Sequence, residues 1–592
     1  MTTVLTNEHI YRCFVLGAKY VITEKDALNA INVFPVADGD TGSNLSSLMK
    51  SILLKARLEP TMKQTLKSIT DAAIIGARGN SGIIFASYID GFSRDLSKEN
   101  LDIETFINSM EKASLNAYSS VETPVEGTMI TLMRLWHERL KNIHTKSMDF
   151  IGLLSKAFEG LKAELENTKE LLPILKQSKV VDAGAKGFYH FIEGFIRGLK
   201  GEDIDIVFKP TDDMVMHVDH FEESQTRYCT EVLIEGNQIP KEQIKKTLHP
   251  LGDSMVVAGS DTLVRIHIHT DTPAKVFELV EPFGQIVDQK VDDMKRQFDI
   301  ANHKKHKIAL VTDSIADLAD GFAEANQIHV LNLALLINQA TYFDKLTIEN
   351  KRFYELMNTL KEYPKSSQPN PKTIENLYSF LTTYYDEIIV ITVSGKMSGT
   401  YQALLNGKKA FKNHKITVID SLQNSVAEGL LVHKAMSYIE AGFDYDTIVE
   451  KVEALRPLTK ILVSVKTLKY MIRSGRLKRT TGLVGKMINL KPIISIDREG
   501  MGIIEDKAFS LKKADTLIFD HIKAVQKESG IDTFALVHVN APQRASYYKQ
   551  TIEAITGVKV CYISEISTIV AMNAGIGSVA VAYIKKEPQN SI

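Results

Sequence analysis

The sequence predicts a multidomain protein: a helical N-terminal region over residues 1–200, a small α/β region over 202–300, and a longer α/β region over 307–588. Three observations predict it. Apolar residues recur at three- and four-residue spacing through the first third, with little valine or isoleucine alternation. From about residue 202, β-branched runs appear between short helical segments. From Ile308 onward, strand, loop and helix alternate repeatedly. The 592 residues also exceed what a single core supports and predict roughly three or four domains.

In the first region, Leu66 to Ile75, Ile103 to Tyr118 and Phe150 to Leu165 read as helices. In the second, Tyr228 to Ile234, Ser254 to Gly259 and Leu263 to His269 read as strands. Lys241 to Leu248 and Pro273 to Leu279 read as the helices between and after them, and the charged stretch Asp292 to Lys307 as a linker. In the third, IALVTDS, HVLNLALLI, EIIVITVSG, KITVIDS, TFALVHVN and KVCYISE alternate with helical runs. That rhythm predicts a largely parallel sheet covered on both faces. The longest apolar stretch, Thr568 to Ile584, contains Asn573, Gly575 and Gly577, and reads as a buried strand or helix with a glycine turn, not a membrane span.

Charge excludes one class of partner. Lys and Arg total 71 against 72 Asp and Glu, spread along the chain, so no nucleic-acid footprint is expected. The start, MTTVLTNEHIYRCFVLG, has no basic region followed by an apolar core, so no signal peptide is expected. Three cysteines are too few for a disulfide framework and fit a reducing cytoplasm.

The chemistry begins at NVFPVADGDTGSN, residues 32–44. Asp38 and Asp40 flank Gly39 just before an apolar helix. Magnesium shares its shell between one or two carboxylates, waters and substrate phosphates, and this loop offers that set. Gly39 and Gly42 would let backbone amides approach phosphate oxygens. Three more glycine loops follow: GARGNSG at 76–82, PVEGTM at 124–129 and VDAGAKG at 181–187. Each opens a predicted helix, whose free amides suit an anion. An ordinary helix cap explains any one of them; four in one helical region predict a nucleotide pocket at one end of a bundle.

In this order the four loops resemble the nucleotide domain of bacterial fatty acid kinase, itself similar to the ATP-binding subunit of dihydroxyacetone kinases, an all-α helical barrel. The resemblance implies ATP and Mg²⁺, with Asp38 and Asp40 as magnesium ligands and catalytic residues. Where the dihydroxyacetone kinases carry a third aspartate, Asn32 stands as a neutral candidate ligand. Thr41, Ser43 and Asn44, then Gly79, Asn80 and Ser81, would line the phosphates. Thr128 and Met129 would lie near the nucleoside, and Asp182 and Gly184 would close the site.

In the middle region, alternation along RIHIHTD places His267, His269 and Asp271 on one strand face. Same-face neighbours lie about 6–7 Å apart, close enough for two imidazoles to share an ion. Cys229 lies on another predicted strand, and Cys with two His suits Zn²⁺. A polar strand face with a buried thiol is the plainer alternative. YCTEVLI and GDSMVVAGSDTLVRIHIHTD resemble the middle domain of fatty acid kinase, which implies zinc on Cys229, His267 and His269. Its role stays open between structural support and docking of an acyl end.

In the third region, VTDS at 311–314, PKSSQP at 364–369 and SGKMSGTY at 394–401 place hydroxyls and amides after predicted strands. Such loops suit a carboxylate or phosphate, although turns and caps explain each singly. With VIDS at 418–421, SGRL at 474–477 and KPII at 491–494, they resemble the DegV family of fatty-acid-binding proteins, two α/β lobes around an acyl tunnel. The resemblance implies a carboxylate held by Ser366 and Ser398, with Thr400 close by and Arg476 near the head group. The family's histidine in H-x-G-P-G is Asn573 here, and asparagine cannot carry charge.

Together these resemblances imply an ATP-dependent kinase acting on a fatty acid carboxylate presented by a DegV-type domain, giving an acyl phosphate for phospholipid synthesis. Fusion would raise the effective concentration of the two modules to about millimolar. Expected partners are a fatty acid, separate DegV-type carriers and a second copy of the chain as a homodimer, with no nucleic acid and no integral membrane segment. The alternatives are a small-hydroxyketone kinase of the dihydroxyacetone type and a non-catalytic lipid-binding protein.

Overall fold

A computed structural model describes residues 2–34, 39–94, 96, 100–204, 225–360, 362–468, 470–471 and 490–587. The chain divides into two compact units, Met1–Asn302 and His303–Ile592.

Unit 1 begins with helices α1 (Asn7–Thr23), α2 (Lys25–Asn29), α3 (Thr41–Lys55), α4 (Met62–Gly76), α5 (Gly79–Ser93), α6 (Ile103–Ser120), α7 (Met129–Ile143), α8 (Phe150–Leu171), α9 (Pro173–Ser178) and α10 (Ala183–Leu199). The three segments read as helices from apolar spacing fall inside α4, α6 and α8. The long helices pack in a closed ring, α1 on α3, α3 on α4, and so on to α8 on α10 and α10 back on α1. Buried aromatic rings fill it: Phe14 lies 5.7 Å from both Phe191 and Phe195, and Phe106 5.4 Å from Phe150. Such edge-on and tilted pairs are the favoured aromatic geometry. Because ring neighbours alternate in direction, α3, α5, α7 and α10 begin at the same end.

That end meets a four-stranded antiparallel sheet in the order β4-β5-β3-β6, where β3 is Tyr228–Glu235, β4 Gly252–Gly259, β5 Leu263–Thr270 and β6 Gln285–Asp293, counting the two-residue strands Val4–Leu5 and Leu101–Asp102 as β1 and β2. Its outer face buries Val232, Ile234, Ile266 and Ile268 beneath α11 (Lys241–Leu248) and α12 (Pro273–Val280). Its other face joins Leu233, Val256 and Ala258 to the core of the helical ring. The stretch expected as a linker is not one. Asp292 and Asp293 end the edge strand β6, and Met294–Asn302 is a helix. Charge density alone misled there: β6 pairs along β3, so its polar residues sit in an ordered ladder.

Unit 2 holds two principal sheets. One is four-stranded and wholly parallel, in the order β13-β12-β7-β8, with β7 Ile308–Asp313, β8 His329–Leu331, β12 Glu387–Thr392 and β13 Lys415–Asp420. The other is six-stranded, in the order β16-β15-β14-β19-β17-β18, with β14 Thr459–Ser464, β15 Lys491–Ile496, β16 Gly502–Ala508, β17 Ile531–His538, β18 Ile563–Glu565 and β19 Val579–Lys585. Only β17 and β18 pair in parallel there. The expected largely parallel sheet therefore describes the first lobe and fails for the second. There, the hairpin β15–β16 reverses direction in a short turn, and β19, reached through the helix Thr568–Ala574, runs antiparallel to both β14 and β17. A small antiparallel sheet, β9 (Ala334–Ile337) between β10 (Ala340–Phe343) and β11 (Lys365–Ser367), completes the unit. The long apolar stretch contains both readings made of it: a helix at Thr568–Ala574, glycines at positive φ (Gly575 +81°, Gly577 +88°), then β19.

Candidate functional site

The four loops of the helical region converge. Asn32, Asp40, Thr41, Ser43, Asn44, Gly79, Asn80, Ser81, Thr128, Met129, Asp182 and Gly184 all line one cavity of about 2070 Å³, its open mouth included. Asp40 precedes the first turn of α3 and makes no capping hydrogen bond to it. Thr41 donates its hydroxyl to the side-chain carbonyl of buried Asn32. Asp40 and Asn32 thus put a carboxylate and a neutral oxygen on one wall, a hard-oxygen set that fits Mg²⁺. Asp38 lies outside the described residues, and so does Arg476 of the C-terminal region.

Two details differ from the loop-by-loop expectation. A Cβ on Gly42 would stand 2.1 Å from the Lys25 carbonyl oxygen, so this glycine makes room for α2, not for a ligand. Ser43 is bound on both sides by Asn29: its amide donates to Asn29 Oδ1 and its hydroxyl accepts from Asn29 Nδ2, each at 3.0 Å. Asn29 was not singled out in the sequence because it lies on the short helix before the motif.

The middle sheet forms the facing wall. Register sets Cys229 opposite His269 and Glu231 opposite His267 on β3 and β5, with Asp292 and Lys290 beside them on β6. All six residues line the same cavity as the nucleotide loops. The candidate ligand atoms of Cys229, His267 and His269 lie within 4.8 Å of one another, and Cys229 Sγ is 3.8 Å from His267 Nδ1. A tetrahedral zinc, with Zn–S of about 2.3 Å and Zn–N of about 2.0–2.1 Å, separates S and N ligands by roughly 3.6 Å. His267 Nε2 is buried without a hydrogen-bond partner. Burial and the neighbouring His267 push His269 down to about 3, so it stays a neutral donor. Burial, then Asp292 and Glu231, push the Cys229 thiol well up, and a bound cation would reverse that sign. The three residues fit zinc and would hold it by one thiolate and two imidazoles. Asp271 does not join them; it is exposed past the end of β5 and accepts the Arg227 amide at 2.9 Å.

Glu231 and Arg265 tie the two walls together. Gly79, at φ +57°, donates its amide to Glu231 Oε1 at 2.6 Å. Arg265 Nη2 donates to the Ile75 carbonyl at 2.8 Å, and Arg265 Nη1 lies 3.8 Å from Glu231 Oε2. A buried ion pair from the middle sheet therefore caps both the end of α4 and the start of α5. Burial works against the charge of Glu231, but the hydrogen bond from His267 and the charges of Lys290, Arg265 and Arg78 hold its carboxyl well below the usual range. Sequence reasoning missed Glu231, although it lies two residues from Cys229 and so on the same strand face.

At the other site boundary, Asp182 caps α10, with its Oδ1 accepting the Ala185 amide at 2.7 Å. Burial raises its carboxyl to about 7 against backbone amides of Ala185, Met129 and Gly184.

Unit 2 holds a separate, mostly apolar cavity of about 1200 Å³, its mouth included, with Ser366, Ser398 and Asn573 on its wall. Thr400 is not on that wall. It is fully buried behind Ser398, with the two hydroxyl oxygens 2.9 Å apart.

Comparison with known proteins follows the same division. The DAK2 domain model matches residues 35–197, the fatty acid kinase-like middle-domain model 225–300, and the DegV family model 307–586. Protein YloV of Bacillus subtilis is 32% identical over 298 residues, 48% of this chain and 54% of that protein. An uncharacterized protein of Staphylococcus epidermidis is 28% identical over 359 residues, 55% of this chain and 65% of that protein, so the match leaves a third or more of each relative's length unspanned. Among solved structures, a fatty-acid-binding DegV family protein from Thermus thermophilus is 24% identical and covers 47% of this chain and 100% of its own, at a TM-score of 0.45. DegV of Bacillus subtilis, a fatty acid binding protein, is 25% identical and covers 48% of this chain and 100% of its own, at 0.44. This chain is a fusion of a DAK2 domain, a fatty acid kinase-like middle domain and a DegV family domain.

Proposed function

We propose that the chain is an ATP-dependent kinase that phosphorylates the carboxylate of a fatty acid bound to a DegV-type domain. The observation that supports this most is a cavity in unit 1 that the nucleotide loops and the Cys229/His267/His269 cluster both line. A dihydroxyacetone-type kinase would need neither the second wall nor a separate apolar chamber, which favours the acyl substrate over a small hydroxyketone.

In this reading Asp40, with Asp38 and the Asn32 carbonyl, would hold Mg²⁺, whose charge would neutralise the phosphates of ATP. Ser81, Asn80 and Thr41 would position those phosphates, and Lys290, kept protonated by Asp292 and Glu231, would add a cation at their edge. The acyl carboxylate oxygen attacks the γ-phosphorus and the bond to the β,γ-bridging oxygen breaks, leaving acyl phosphate and ADP. The nucleophile is already anionic, so no general base is required; positioning and charge neutralisation supply the rate. A homodimer, separate DegV-type carriers and a cytoplasmic setting belong to this proposal. Among the described residues no helix is long and apolar enough to cross a membrane.

Acyl hydroxamate trapping tests it. Purified chain, Mg-ATP and oleate are incubated with hydroxylamine, with and without an added DegV-type carrier. Hydroxamate without carrier means that this chain both presents and phosphorylates the lipid. Hydroxamate only with carrier means that its own DegV domain does not supply the substrate. No hydroxamate in either arm, with turnover on dihydroxyacetone, overturns the reading.

A further inference from the structure

A short helix forms part of the wall of the unit 2 cavity. It runs Thr568–Ala574, joins β18 to β19 in the second lobe, and gives Ile569, Val570, Asn573 and Ala574 to the wall. Seven residues are too few for a helix to be stable by itself, so contacts with the rest of the unit must place it. Its own side-chain bonds are local: Ser567 accepts the Val570 amide at 3.2 Å, and Asn573 Nδ2 donates to the Ile569 carbonyl at 2.8 Å.

Two buried carboxyls from outside the second lobe tie the helix down. Asp317 follows β7, and its Oδ1 accepts the Ser567 amide at 2.6 Å. Asp344 follows β10, and its Oδ1 accepts the Thr568 amide at 2.8 Å and the Thr568 hydroxyl at 2.6 Å. Lys345, next in the chain, pairs with Asp317 at 2.7 Å and so joins the two acids to each other. Ser425 donates to the second oxygen of Asp317 at 2.6 Å. Asp317, Asp344, Ser567 and Thr568 are all buried. Asp317 and Lys345 hold left-handed backbone, at φ +43° and +62°. Such strain persists only where the surroundings fix it, and it gathers at ligand clamps. The carboxyls meet the helix at its N-terminus, where backbone amides lack partners and acidic groups are favoured. Neither carboxyl lines the cavity, so each reaches a ligand only through the helix.

Resting on the acyl reading of this cavity, we propose that Asp317 and Asp344 are positioning residues for the lipid: their clamp on the helix Thr568–Ala574 sets how long the cavity retains an acyl chain.

The test follows release of cis-parinaric acid, a fluorescent fatty acid, from the purified full chain into excess phosphatidylcholine vesicles. Asp344→Ala should release it about tenfold faster or more, the scale of the hydrogen bonding lost at one carboxyl. Asp344→Asn keeps the oxygen that both Thr568 donors use and should stay within about threefold of wild type. Thr568→Val removes the hydroxyl and leaves the amide bond, so its rate should fall between those of wild type and Asp344→Ala. It also serves where Asp344→Ala does not fold. Tyr445→Phe loses hydrogen bonds to Ile388 and Thr417, and none of these three residues is on the cavity wall. It should lower thermal stability without changing release, which separates positioning from structural support. Release at the wild-type rate in Thr568→Val, or in a folded Asp344→Ala, overturns the proposal. Acceleration in Tyr445→Phe as large as in the clamp variants overturns it too, since release then tracks stability alone. A wild-type chain that binds no parinarate overturns the acyl reading beneath it, while leaving hydroxamate formation with a separate carrier as the independent test of the kinase.

Discussion

The backbone amide of Gly79 donates to the carboxylate of Glu231 at 2.6 Å, joining the turn before α5 to the strand that carries Cys229. The helix start that sequence reasoning gave to a phosphate is thus already partly satisfied by a protein carboxylate. Its task is to fix the loop, leaving Asn80 and Ser81 on the cavity wall. Removing one partner of a buried pair costs about 3–5 kcal/mol, since the other charge stays buried. Glu231→Ala should lower the stability of unit 1, though by less than that scale, because Asp288 Oδ2 at 3.2 Å from Arg265 Nη2 still pairs with the guanidinium. Glu231→Gln should cost less, because it retains an acceptor for Gly79. Trp136, the single tryptophan, is buried in unit 1, so its fluorescence in a urea titration reads this unit alone. Equal midpoints for wild type and Glu231→Ala would show that the link is incidental.

The Asp40 carboxylate caps nothing in α3, so Asp40→Asn should leave unit 1 folded, as Trp136-monitored urea unfolding checks. If it holds Mg²⁺, the variant should lose Mg-dependent ATP turnover by about 100-fold or more, the scale of a lost metal contact. Nucleotide affinity measured with and without Mg²⁺ checks the assignment. A variant in which Mg²⁺ still tightens ATP to the wild-type extent would place the ion elsewhere.

Much of this site was legible because its signals are local. Alternation along RIHIHTD placed His267 and His269 on one face, and β5 keeps them there with ring centroids 5.0 Å apart. The four loops announced helix starts at Thr41, Gly79, Met129 and Ala183, and α3, α5, α7 and α10 begin there. What escaped depends on pairing between distant segments. Asp292 read as linker charge, and Lys290 went unremarked, until the β3–β6 register set them beside Cys229 and Glu231. The antiparallel second lobe escaped for the same reason: a strand's period shows its burial, not the direction of its neighbour. Asn573 was visible as a substitution, but its amide orientation required the Ile569 carbonyl.

The Cys229, His267 and His269 cluster predicts a metal content. Purified without chelator, the chain should retain close to one zinc per molecule by mass spectrometry. Cys229→Ser should reduce this sharply, since the thiolate is the strongest of the three ligands. Chelation should also lower the Trp136-monitored midpoint, because the metal binds the folded sheet and not the unfolded chain. A metal-free protein of unchanged stability would leave the triad as a polar strand face.

Asp182 gives the stability of unit 1 a pH dependence of definite sign. Its ordinary value is 3.8 and burial raises it to about 7 in the fold. Between those values the folded chain holds a proton that the unfolded chain has released, so stability falls as pH rises through this window and levels off above it. About three units correspond to at most about 4 kcal/mol at 1.36 kcal/mol per unit. Asp182→Asn keeps a carbonyl oxygen for the Ala185 amide and cannot titrate. It loses part of the acceptance from Met129 and Gly184, a constant offset that leaves the slope as the readout. Urea midpoints followed by Trp136 at pH 4.5 and pH 8 should differ in wild type, with the lower value at pH 8, and the difference should shrink in the variant. An equal difference in both would assign the dependence to another group and return Asp182 to a plain ionised cap.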